Sequence, residues 1–298
     1  MIRLVVVLAP VLACLVSAFV VHCNESRVVN GFDLNDYHSF AEIADYVNSL
    51  KNERVSVETL GLSSEQRPIP IVKINRNAKH SSRKQMTGQK STCTSFQQSI
   101  PTAMNSQEHT IGFGGNSRSG KLKCGADLNR NYENHWAETG TSNKKCSEIY
   151  HGRKPFSEPE SRAVGDFMVQ HLSELQGYVS LHAFENAILV PYGYQVYAKP
   201  TNYEELFLTA KQVAASMNSV HNNNYTIMKS SSLYPAAGCS DDYAKGIGIR
   251  YSYTIELTTG FYQGKYVGFQ TPKQMIGQTS DEVRAGLVKL MQIIVSQP

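Results

Sequence analysis

Gly177-Tyr178-Val179-Ser180-Leu181-His182-Ala183 is a short run that is apolar at nearly every position and ends on a histidine. Aromatic and β-branched residues of this density, with no Pro, predict a buried strand. A second such run, Tyr251-Ser252-Tyr253-Thr254-Ile255-Glu256-Leu257-Thr258, ends on a glutamate. Between them lie an apolar run at 187–192 and a helical pattern at 203–220. Upstream, Phe40, Ile43, Val47 and Leu50 fall at helical spacing within 39–52, and Val55–Leu62 and 68–74 read as two strands. Ser157-Glu158-Pro159-Glu160 has the form of a capping box and predicts a helix to about Leu172. Thr279 is expected to cap the last helix, with Glu282 at its third position and Val283, Leu287, Leu290 and Ile294 on one face. Strands alternating with helices predict an α/β chain, with a mixed, mostly parallel central sheet and helices on both faces. Sites in such folds lie at the carboxyl ends of strands. His182 and Glu256 both come late in their strands.

The 298 residues are 41% hydrophobic, enough for one large core. The formal charge is +4 with acids and bases well mixed, and there is no basic stripe. Nucleic acid is therefore not an expected partner.

Residues 1–23 read as a secretory leader: Arg3 supplies the positive region, an apolar run follows, and Val16-Ser17-Ala18 offers small residues for cleavage. The alternative is a membrane anchor, because the run approaches spanning length. The leader reading implies an extracellular chain with no membrane contact once it is cleaved. Asn24-Glu25-Ser26 and Asn224-Tyr225-Thr226 are glycosylation sequons, which suit export.

Four motifs converge on one chemistry: Ala126-Asp127-Leu128-Asn129-Arg130-Asn131, Ser180-Leu181-His182, Leu233-Tyr234-Pro235-Ala236-Ala237-Gly238, and Tyr253-Thr254-Ile255-Glu256-Leu257. Together they resemble the secreted zinc carboxypeptidases of the pancreatic A and B type. The resemblance covers about 33–78 and 117–298 and implies a catalytic domain over 33–298, expected to be a monomer. Several roles follow from it. His182 matches one of the family's three zinc ligands. Glu256 matches the general base that deprotonates zinc-bound water. Asn129 and Arg130 match the pair that holds a peptide's terminal carboxylate, which a guanidinium can do through two parallel bonds. Tyr234 matches the tyrosine that closes over the bound C-terminus. Cys124 and Cys146 match the family disulfide. Asp241 stands where B-type relatives carry the Asp that selects Lys or Arg, and a solvent-facing or turn-capping Asp is the alternative. Lys229 is expected near the same pocket.

One part is missing. The family holds its metal with a His-x-x-Glu pair placed between Ile74 and the Asn-Arg motif. The pattern occurs here at His22/Glu25, His135/Glu138, His171/Glu174 and His182/Glu185, none of them following a strand at that place. The expected place falls instead in a stretch, 79–116, that is rich in Lys, Ser, Thr and Gln and has no period. Its bland reading is a long solvated loop, which compact domains seldom contain. There is a sharper one. Residues 96–115 read FQQSIPTAMNSQEHTIGFGG. Codons compatible with that string, shifted by two bases, spell PAVNPDGYEFSGTHDRFWR, which resembles the family's segment at this point almost letter for letter. That segment also carries the family's oxyanion-stabilising Arg. On this reading 79–116 is translated out of frame, after loss of the exon for the metal-binding strand by splicing or by a misassigned boundary. The sheet is then expected to be short of a central strand. Three functions remain open: a zinc metallocarboxypeptidase releasing C-terminal Lys or Arg, a secreted non-catalytic relative that binds peptide C-termini, and a product that does not fold.

Overall fold

Two runs from distant parts of the chain meet in the middle of one sheet. The structure, a computed structural model, describes residues 2–8, 28–29, 31–75, 92–98, 124–258 and 260–297. The rest of the leader, the sequon at Asn24 and most of the 79–116 stretch lie outside the described residues. Strand β1 is Ile2–Leu8, followed by a small ribbon of β2 (Val28–Val29) and β3 (Phe32–Asp33). Helix Phe40–Ser49 leads to the antiparallel pair β4 (Val55–Leu62) and β5 (Pro68–Asn75), and β6 is Thr92–Gln98. A 3-10 turn, Leu128–Arg130, precedes helix Pro159–Gln170. Then come β7 (Leu175–Ala183), β8 (Ala187–Val190), helix Tyr203–His221 and β9 (Thr226–Lys229). The helical turn Ser230–Leu233 and helix Ser240–Gly246 lead to β10 (Tyr251–Leu257). A ribbon of β11 (Phe261–Tyr262) and β12 (Lys265–Tyr266) precedes the last helix, Lys273–Ser296.

The main sheet has eight strands in the order β4-β5-β6-β1-β7-β10-β8-β9. Its centre, β6-β1-β7-β10, is parallel throughout, while β4-β5, β5-β6 and β10-β8 are antiparallel. Side-chain alternation divides the core. Val179 and Leu181 of β7 pack with Val47, Val213, Val283, Leu287 and Leu290, whereas Tyr178 packs with Val164, Phe167 and Met168. Helices therefore cover both faces, as expected of an α/β sheet. Val283 and Leu287 are fully buried, and each such side chain contributes roughly 1.5–3 kcal/mol.

Local signals were partly overruled. Ser39 does form a capping box with Glu42. The one expected at 157–160 does not form. Glu158 is the N-cap there, without a side-chain cap bond. The Ser157 hydroxyl donates to Glu158 Oε1, and the Glu160 carboxylate accepts from Ser64. Long-range partners replace the local cap. Thr279 is likewise interior to its helix, which begins just after Pro272.

The expected loss of a central strand needs correction. The slot between β6 and β7 is filled by β1, in register from Ile2↔Thr92 to Leu8↔Gln98 on one side and from Leu4↔Gly177 to Leu8↔Leu181 on the other. Apart from Arg3 the segment is apolar and rich in Val, a composition that suits an interior parallel strand as well as a leader core. Part of the stretch read as a loop also forms a strand, β6.

Asn131 ties the Asn-Arg turn to this frame. Its Nδ2 donates to His151 O, Lys154 O and Ser157 Oγ at 2.8, 3.2 and 3.0 Å, and its Oδ1 accepts from Ser161 Oγ and Glu158 N at 2.6 and 3.2 Å. Asn131→Ala strands these buried partners, and a thermal melt is expected to show a loss of roughly 3 kcal/mol. A second expectation concerns β1. A chain beginning at residue 24 leaves the facing backbone groups of β6 and β7 unpaired. It should show no cooperative melting transition where the full chain shows one; equal melting of the two would contradict the structural role of β1.

Candidate active site

β7 and β10 lie side by side, and their register places His182 directly opposite Glu256. The same register pairs Ser180 with Thr254 and Tyr178 with Ser252, so these residues share one face of the sheet. The apolar residues between them face the other way, into the larger core. Alternation along two strands thus gathers the polar groups at one carboxyl end.

The Asn-Arg turn packs over that end. Asp127 caps it by accepting from Asn129 N at 2.9 Å. Gly238, at φ +74°, packs so closely that a Cβ there would lie 2.5 Å from Arg130 O. The Asn129 Oδ1 accepts from Ser240 N at 2.9 Å. That bond commits the amide oxygen inward and leaves the NH2 as the group offered to a ligand.

Arg130 is 5% exposed. Its Nε donates to Gly140 O at 2.9 Å and its Nη1 to Asn129 O at 2.8 Å, while Nη2 reaches Tyr234 Oη at 3.3 Å. The nearest carboxylate, Asp127, stands 3.8 Å from Nη1. The guanidinium is therefore held rigidly, with a long contact to its counter-charge. The Tyr234 ring lies 5.8 Å from it and is half exposed. The buried Cys239 thiol accepts from Nη1 at 3.8 Å, and burial pushes its pKa up.

The ionisable groups feel one another. Burial, aided by Arg130, holds the His182 imidazole down to about 4, so the ring is neutral at pH 7. Burial pushes Glu256 up to about 8, with Asp241 and Glu185 adding to it and Arg130 opposing. Asp241 and Asp242 are both raised, chiefly by burial. Asp242 had no role in the sequence reading. It accepts from Gly193 N with both oxygens, at 2.9 and 2.8 Å, and from Tyr194 N at 3.1 Å, so it fixes the loop beside the pocket. Only the run of two acids at the start of helix Ser240–Gly246 could have signalled it.

The fold brings Asn129, Arg130 and Tyr234 into bonded contact, and places His182, Glu256 and Asp241 within electrostatic reach of them. Cys124 and Cys146 are bridged, with Cα atoms 4.9 Å apart. Among the described residues the metal half of the site is incomplete. A catalytic zinc needs three protein ligands. Among the described residues no three His, Cys, Asp or Glu side chains converge in a way that could hold a metal ion. His182 has the right chemistry, being neutral and half-buried. His135 Nδ1 and Glu138 Oε2 lie 2.8 Å apart, and His171 Nδ1 and Glu174 Oε2 3.3 Å apart, so these two His-x-x-Glu patterns are local side-chain contacts. The expected site of the missing pair falls largely outside the described residues.

Comparison with known proteins agrees with this geometry. The zinc carboxypeptidase family model matches residues 102–286, more than half of the chain. Carboxypeptidase B of Bos taurus is 41% identical over 167 residues, covering 56% of this chain and 39% of that protein. The chain thus spans about two fifths of the length of the curated relatives it matches. Among solved structures, bovine thrombin-activatable fibrinolysis inhibitor in complex with tick carboxypeptidase inhibitor superposes with TM-score 0.70 at 26% identity, covering 88% of this chain and 98% of that one. Carboxypeptidase A from Helicoverpa armigera gives TM-score 0.74 at 22% identity, covering 95% and 79%, and supports the fold. Sequence motifs, sheet order and the clustered Asn129, Arg130, His182 and Glu256 lead to the same place: the chain belongs to the zinc carboxypeptidase family.

Proposed function

We propose that this chain is a monomeric carboxypeptidase-type protein of an oxidising compartment that recognises the free C-terminus of peptides, with a preference for terminal Lys or Arg. One observation carries the reading: the Arg130 guanidinium, buried and clamped by backbone carbonyls, points Nη2 at the half-exposed Tyr234. A fixed guanidinium beside a movable tyrosine suits a carboxylate arriving from solvent. The Asn129 amide adds a neutral donor. Asp241, 3% exposed and close enough to Glu256 to raise its pKa, suits a cationic side chain. The Cys124–Cys146 bridge favours an oxidising compartment, and Asn224 is exposed, as a glycan acceptor has to be. No helix among the described residues is long and apolar enough to cross a membrane.

Zinc hydrolysis is the family chemistry, and it supplies an activated water that no other group here replaces. This chain contributes His182 and Glu256 to it. Among the described residues His182 has no second and third partner for zinc, so the part of the site on which this proposal rests is the recognition of C-termini. The hydrolytic form is the product with the missing ligand strand restored.

Two outcomes follow. Binding of a peptide with a free C-terminus, followed by calorimetry, should exceed binding of its amide, and Arg130→Met should weaken the acid by roughly 10- to 100-fold, as expected for about 1.5–3 kcal/mol in bonds to a charged group. Equal affinity for acid and amide would end the reading. Equilibrium dialysis against micromolar zinc should recover the full chain with far less than one ion bound. Stoichiometric zinc, together with release of arginine from a peptide end, would show that the metal site is complete.

A further inference from the structure

Lys229 ends β9 inside the pocket region and is 8% exposed. Its Nζ donates to Gln195 O at 3.2 Å and closely to Val196 O. An ammonium tied to two backbone carbonyls cannot swing out to solvent. The next residue, Ser230, donates its hydroxyl to Asp241 Oδ2 at 3.4 Å. Asp242, held by the 193–194 backbone, lies on the same loop that supplies the carbonyls for Lys229. Lys229 and Asp242 each shift the other's ionisation, and Lys199 adds a further positive charge near Lys229. Two buried carboxylates, Asp241 and Asp242, and one ammonium tied to backbone carbonyls thus lie on adjoining segments. Lys229 pulls Asp242 down, while burial and Asp241 hold it well above the ordinary carboxylate range.

We propose that Lys229 is a specificity-determining residue that restrains the preference for basic C-terminal side chains, so that the pocket also accepts neutral ones. The inference rests on the recognition of C-termini proposed above and deepens it. The Lys229 ammonium, fixed to the 195–196 carbonyls, stands beside the segments that carry Asp241 and Asp242. A cationic side chain entering beside Asp241 feels repulsion from it. A neutral side chain feels none. The restraint is a matter of charge, so Arg at this position should preserve it and an uncharged residue of similar length should remove it.

The test uses the full chain and three acylated dipeptides, ending in free arginine, free leucine and arginine amide. The arginine-to-leucine affinity ratio is measured by calorimetry for the natural chain, Lys229→Met and Lys229→Arg. Lys229→Met is expected to raise the ratio by about tenfold, the order of magnitude for one unit charge a few ångströms away in a partly screened pocket. Lys229→Arg is expected to keep the ratio within about twofold. A ratio that is unchanged or lower in Lys229→Met overturns the inference. So does a parallel loss of both affinities with the ratio preserved, since a merely structural role predicts that result. Failure of the natural chain to distinguish the arginine acid from its amide would instead overturn the recognition reading itself.

Discussion

The backbone slot between β6 and β7 is the constraint on which the rest of this protein depends. An interior strand must satisfy hydrogen bonds on both sides, and a slot left empty splits the sheet. In this chain the slot is taken by Ile2–Leu8. That segment has the composition of a secretory leader, and the physics makes the coincidence intelligible. A leader core and a buried parallel strand both require an unbroken apolar run. The two uses exclude each other, because a leader that is removed cannot pair with β7.

β7 carries His182 at its carboxyl end, with Glu256 beside it on β10. Among the described residues no further His, Cys, Asp or Glu side chains complete a metal site there. The carboxylate clamp is independent of the slot. Arg130 is held by Gly140 O, Asn129 O and Tyr234, all contributed by segments outside the parallel core. The proposed recognition of C-termini and the binding of a metal therefore draw on different segments of the chain, and among the described residues only the Asn129-Arg130-Tyr234 cluster is assembled.

Much of this was legible in the sequence. Val55–Leu62 and helix Tyr203–His221 were read almost to the residue, since strict patterning and the absence of breakers left few alternatives. The family motifs pointed to the disulfide pairing that the structure shows and to Asn129, Arg130 and Tyr234, which the fold brings together. Three features escaped. The capping box at 157–160 failed because Asn131 and Ser64 compete for its side chains, a tertiary effect invisible to a four-residue pattern. The last helix starts before Thr279, and Pro272 was the overlooked signal. The place of Ile2–Leu8 in the sheet was hidden because its composition fits two destinations, and only the unfilled slot distinguishes them.

The central claim is that a ligand-bearing strand belongs in the slot and that this chain carries a substitute for it. Sequencing the transcript and the genomic interval across codons 75–120 tests it most directly. The account predicts that the codons of 96–115 spell PAVNPDGYEFSGTHDRFWR in the alternate frame, and that a longer transcript carries an extra segment just upstream with a His-x-x-Glu pair. Codons that give no such string in any frame, with no additional exon in the interval, would contradict it.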